Sequence, residues 1–146
     1  MKKVLHFLIV LLLISLFVIP AVYYGQLPEE IPSHYNGFGE VDAYSEKSMI
    51  WFMPIVGLVL SALVWVVISK LPQHNPHKVP KQIPELFKEL LILFILLPFN
   101  YISYATIQVS LGYQEGLGIW FLPVFLGIMF IGVSLLIWKQ MGKDAR

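Results

Sequence analysis

Four apolar runs, approximately Val4 to Tyr24, Met49 to Ser69, Leu90 to Leu111 and Leu117 to Trp138, set the terms for everything else in this chain. Each has about the 20 residues that a helix needs to cross a hydrocarbon core. With 58% hydrophobic and only 13% charged residues, and a mean hydropathy of +0.74, a soluble domain of this length would lack the polar surface to cover itself. The fold class is therefore an all-α integral membrane protein. It is read as a four-transmembrane-helix bundle and one membrane domain over residues 1–146, with the lipid bilayer as its first partner. Lys2 and Lys3 precede the first run as they would in a signal peptide, but Val22, Tyr23 and Tyr24 offer no small-x-small cleavage pattern. That helix is expected to be retained.

Interfacial aromatics agree with these limits: Tyr23, Tyr24, Trp51, Tyr113 and Trp120 fall at one set of ends, Trp65 and Trp138 towards the other. If both termini and the middle loop share a side, that side holds Lys2, Lys3, Lys70, Lys78, Lys81, Lys88, Lys139, Lys143 and Arg146, leaving Lys47 opposite. The positive-inside rule makes that side cytoplasmic and predicts a multi-pass protein of the cell membrane with cytoplasmic N and C termini. The outer loops then carry Glu29, Glu30, Glu40, Asp42, Glu46 and Glu115, an acidic face that favours cationic encounter partners. Such a face also arises as a by-product of topology. The cytoplasmic loop over residues 70–88 is a Pro-rich connector whose Lys78, Lys81 and Lys88 sit well for topology, anionic lipid or a docked protein. Pro84 suits the first position of an amphipathic start to the third helix.

No Asp, Glu, Lys or Arg falls inside the four runs, and His6 is near the end of the first, which argues against pumps, proton-coupled carriers and voltage sensors. The third helix carries a polar stripe, Asn100, Tyr101, Ser103, Tyr104 and Gln108, just past Pro98. It is expected to face the bundle as an interhelical hydrogen-bond seam. Gly57 and Ser61 form a small-xxx-small pair on the second helix, and Gly127 and Gly132 thin the fourth.

Between the first two helices lies the outer loop, residues 27–47, LPEEIPSHYNGFGEVDAYSEK, which holds most of the distinctive chemistry. Pro28 and Pro32 keep its first half extended. Asn36, Gly37 and Gly39 are expected to supply positive φ angles for a reversal, giving a short structured loop, in its simplest form a β-hairpin between His34 and Tyr44. His34 and Asp42 could then face one another across it, with Lys47 pairing with Asp42 or anchoring the second helix at the headgroups. This reads as a structural lock. A metal set of His34, Glu40 and Asp42 has no recognised ligand spacing, so no metal or cofactor is assigned. Ser33 adjoins His34, but neighbours in an extended segment point to opposite faces and nothing marks an oxyanion hole, so no catalytic residue is assigned and the chain is read as not an enzyme. The absence of cysteine excludes disulfides and thiol chemistry.

The pattern Leu27, Pro28, Ile31, Pro32, His34, Gly39, Asp42 and Lys47 resembles the small membrane family known as domain of unknown function 1648, related to the N-terminal part of the SdpI immunity protein family. The Pro- and Asn-containing middle loop, the polar third helix with Tyr101, Ile102, Ser103 and Tyr104, and the Gly-rich turn into the fourth resemble stand-alone members too. The resemblance implies a bacterial membrane protein of immunity or signalling type, meeting a peptide toxin or a membrane partner protein through the outer loop or the bundle, and no nucleic acid. Two further classes stay open: an accessory subunit of a transporter or sensor, and, with least support, a membrane enzyme on lipid-linked substrates. Oligomeric state is not legible in the sequence.

Overall fold

A computed structural model of the chain describes residues 2–70 and 85–144, with the side chains of 85, 86, 133 and 135–144 left aside. Helix α1, Lys2–Tyr23, ends in a short 3-10 turn, Tyr24–Gln26, and leads into an antiparallel hairpin of β1, Glu30–Tyr35, and β2, Val41–Glu46. A second 3-10 turn, Lys47–Trp51, starts the return through α2, Phe52–Lys70. The chain is completed by α3, Glu85–Ser110, and α4, Phe121–Asp144.

Three helices are long and apolar enough to span a membrane, over Lys2–Gln26, Lys47–Lys70 and Phe87–Ser110. In the fourth helix the apolar stretch among the described residues is Phe121–Gly132. Its first turn comes later than Leu117. Gly118, at φ +81°, and the segment through Trp120 form a connecting loop that is held to the hairpin. Among the described residues α1, α2 and α3 form the packing unit, and α4 joins it at α3. Helix α3 packs on both α1 and α2, and α4 leans on α3 through stacked rings, Phe94 on Phe125 at 5.2 Å and Tyr101 on Phe121 at 5.0 Å.

Two apolar clusters hold the unit together. Ile9, Leu16, Ile92 and Leu96 fill the middle, and Leu27, Ile31, Ile50 and Ile107 fill the space beneath the hairpin. Between the helices, Gly57 and Ser61 are buried as the small-residue pair predicts. A Cβ on Gly57 would meet Leu16 Cδ2 at 2.8 Å, so glycine is what permits this approach. Gly127 and Gly132 have no such neighbour.

Helix α3 begins five residues ahead of its apolar run. Lys88 is therefore a helical residue, 5% exposed, and the loop assignment for it is corrected. Lys78 and Lys81 lie outside the described residues.

Candidate functional site: the hairpin and the cleft beneath it

The hairpin is assembled from local rules. Its register pairs Glu30 with Glu46, Ile31 with Ser45, Pro32 with Tyr44, His34 with Ala43 and Tyr35 with Val41, with irregularities on either side of His34. Ser33 on one strand and Asp42 on the other are thereby left without a cross-strand partner. This double bulge turns His34 diagonally onto Asp42, Nδ1 to Oδ1 at 2.6 Å, as the sequence analysis anticipates. Both side chains remain open to water, 68% and 42% exposed, so the pair shapes the rim of the hairpin rather than its core.

The turn is built differently from the expectation. Among the described residues only glycines have positive φ, and in the hairpin only Gly39, at +79°. Asn36 acts through its side chain instead: Oδ1 accepts from the backbone of Phe38 and Glu40, and Nδ2 donates to Glu40 Oε2 at 2.9 Å. That bond turns Glu40 towards Asn36.

Three sets of contacts fix the hairpin, at its base, on α3 and on the α3–α4 loop. At its base, Lys47 donates to Glu29 Oε1 at 2.7 Å and its backbone to Glu29 O at 2.9 Å, so Lys47 pairs with Glu29 and not with Asp42; its ammonium also lies 5.8 Å from the Tyr24 ring. Midway, the Tyr35 hydroxyl meets Thr106 Oγ1 on α3 at 3.0 Å. Burial pushes the Tyr35 phenol above its usual range, a rise that the Thr106 bond partly offsets. At the tip, Leu117 N donates to Gly39 O at 2.7 Å and Glu40 bridges to Gly116. A Cβ on Gly39 would lie 2.7 Å from Gly118 O. Tyr101 holds the same loop from below through a 2.7 Å bond to Leu117 O, and Gln114 Nε2 donates to Gly116 O.

The motif residues divide by role. Leu27, Ile31 and Pro32 are buried anchors, Pro28 is an exposed spacer, Gly39 makes the tip contact, and His34, Asp42 and Lys47 form polar clamps. Between hairpin, α2, α3 and the start of α4 lies a cleft of about 510 Å³. Its walls are chiefly apolar, with Met49, Phe52, Met53, Ile102, Phe121 and Leu122 below and β1 and the turn above. Ser103 and Thr106 are its hydroxyls from α3.

The polar stripe of α3 does not act as one seam. Asn100 does: Nδ2 donates to Leu12 O on α1 at 3.1 Å and to Leu96 O at 2.9 Å, while Ser15 donates to Oδ1 at 2.7 Å. Ser103 is buried with no hydrogen-bond partner, Tyr101 serves the α3–α4 loop, Gln108 is half-buried, and Tyr104 is 45% exposed. The stripe spans too wide an arc of the helix for one neighbour to cover.

At the opposite end of the bundle, ionisable residues are buried after all. Glu89 is fully buried, its Oε1 3.2 Å from His6 Nε2, and Lys88 lies over the Trp65 ring at 4.1 Å with Ser69 Oγ at 3.4 Å. Sequence reasoning missed them because the apolar run begins at Leu90. The amphipathic start expected from Pro84 already contains Glu89, but its polar residues gave no sign that one of them is buried. Thr106 and Tyr35 were missed as well, although Thr106 follows Ser103 by three residues on the same face.

Comparison with known proteins addresses the hairpin directly. Residues 11–58 match the family model of a domain of unknown function, DUF1648. The match takes in the second half of α1, the whole hairpin and the first turns of α2, which is where the loop motif placed the resemblance. The chain is also similar to an uncharacterized protein of Archaeoglobus fulgidus, 23% identical over 156 residues, covering 88% of this chain and 85% of that one. No solved structure matches it significantly.

Proposed function

We propose that this is a multi-pass protein of the cell membrane, with cytoplasmic termini, that binds a cationic peptide or peptide-like toxin on its outer hairpin in an immunity or signalling role. The orientation rests on the lysine bias towards the other side. One observation carries the binding reading: β2 is exposed along most of its length, and among the described residues no strand pairs with its second edge. That edge is a template for strand addition, where backbone bonds supply affinity and flanking side chains choose the partner. Those side chains are Asp42, Tyr44 and Glu46, with Glu40 at the turn, so the partner they choose is positively charged. The three sets of contacts that fix the hairpin hold the strand in place before binding, which lowers the ordering cost.

The test is survival of cells with and without the protein under a panel of membrane-active cationic peptides, paired with binding of the same peptides to purified protein. Protection and binding that fall in Asp42→Asn and Glu46→Gln, and with rising salt, support the reading. Protection that persists unchanged in correctly inserted Asp42→Asn, Glu46→Gln and His34→Ala variants removes the hairpin from it.

The accessory-subunit reading draws on α4, which meets α3 through Phe121 and Phe125 and leaves Ile128, Phe130 and Ile131 exposed. Native purification that yields this chain alone would count against it.

A further inference from the structure

The hairpin is tied to the level at which the apolar spans end. Its feet, Leu27 and Glu46, adjoin Gln26 and Lys47, where the first span stops and the second begins. Midway, Tyr35 reaches Thr106, four residues before the third span stops at Ser110 and so about 6 Å inside it at 1.5 Å per residue. Ile31 and Ile107 share one buried cluster beside that contact. At the tip, Gly39 O accepts from Leu117 N, on the short loop that carries α3 into α4. A strand pair held at its feet, its middle and its tip lies across the helix ends and does not project away from them.

Its far end carries the residues that water suits least. Phe38, next to Gly39, is 66% exposed, and on the loop that the tip contacts Tyr113, Ile119 and Trp120 are 78%, 61% and 74% exposed. Across residues 36–39 and 111–121 the only charged side chain is Glu115, whereas Glu29, Glu30, Asp42 and Glu46 belong to the feet and strands. Exposed apolar groups gathered in one place mark a surface that something covers. Here position says what does: the group hangs from the residues where the spans stop and runs on through Trp120 into the exposed Leu122 and Val124 of α4. In a membrane that height is the headgroup layer, where the rings of Trp and Tyr are favoured.

We propose that the hairpin rests on the lipid headgroup layer, with Phe38 at its tip inserted at the level of Trp120 as an anchor. The occupant of the patch is the membrane surface and not a protein. This placement depends on the spans alone and is separate from the peptide reading of the β2 edge.

Because the chain has no cysteine, one introduced cysteine takes a label cleanly. Gly37→Cys keeps Phe38 in place, has open space around its Cβ and meets no positive φ. The full chain carrying a nitroxide at residue 37 is placed in phosphatidylcholine nanodiscs, and its collisions with oxygen, which concentrates in lipid, and with a water-soluble nickel chelate are measured by electron paramagnetic resonance. Val59→Cys, exposed midway along the second span, gives the lipid limit, and Glu30→Cys, exposed at the foot of the hairpin, gives the water limit. The oxygen-to-nickel ratio at residue 37 is expected to fall between the two. Phe38→Asp in the labelled protein should shift it to the Glu30 limit, and Phe38→Ser, which adds no charge, should shift it part of the way. A ratio at residue 37 equal to that at Glu30 overturns the proposal, and so does one that both Phe38 variants leave unchanged.

Discussion

The two ends of α3 treat polar groups in opposite ways. At the hairpin end, most polar groups are exposed or matched, Ser103 excepted: Tyr35 with Thr106, Asn36 with the turn, Tyr101 with Leu117, Lys47 with Glu29. At the other end, Glu89 is fully buried with a half-exposed imidazole as its ionic neighbour, and Lys88 is packed on an indole. The first arrangement gives a small β-structure one position on top of helices that present almost no polar surface. The second buries a carboxyl group where an apolar side chain of similar shape would pack as well. Well-matched polar contacts specify geometry, and a buried carboxyl group adds a desolvation cost that the surrounding packing must offset.

The largest way to break the contrast is at the hairpin tip. Gly39→Val combines a left-handed backbone with a clash against Gly118 O, and should cost about 3 kcal/mol and free the hairpin from the α3–α4 loop. Thermal unfolding in detergent and proteolysis of the loop would register it. Gly37→Val, with open space around its Cβ and no positive φ, should leave both unchanged.

Next is the buried carboxylate, where the sign of the change is the information. His6→Ala should destabilise by about 2 kcal/mol, less than a fully buried pair because the imidazole is 45% exposed, while Glu89→Leu should be neutral or stabilising by about 1–2 kcal/mol. Thermal midpoints of the two variants, measured together, decide it. A loss of stability in Glu89→Leu comparable to that in His6→Ala would make the carboxylate part of the packing and end the contrast.

Smaller effects sharpen the picture of the hairpin. Tyr35→Phe removes one half-buried hydroxyl bond and should lower stability by about 1 kcal/mol, matched by Thr106→Val and not additive with it in a double-mutant cycle. Lys47→Met should leave the thermal midpoint where it is, since its partner Glu29 is 86% exposed and water replaces the bond.

Much of this was legible in the chain. Apolar runs of spanning length, the hairpin, its His34–Asp42 contact and the Gly57–Ser61 approach all follow from residue type and spacing. The errors have particular causes. Gly118 and the tip contacts hold back the start of α4, and no local pattern announces a contact between residues 39 and 117. Asn36 was given a backbone role when its side chain does the turning. Glu89 and Lys88 fell outside an apolar window although the helix does not stop where hydropathy does.

By itself the sequence determined that spanning helices form and that a proline- and glycine-marked reversal lies between the first two, because hydropathy and backbone sterics act within a few residues. Which groups meet across the fold was decided only by tertiary structure: Tyr35 with Thr106, Gly39 with Leu117, His6 with Glu89, and the cleft beneath the hairpin. Those contacts depend on how whole helices rotate and slide against one another, and that is set by close packing summed over the entire interface rather than by any local run of residues.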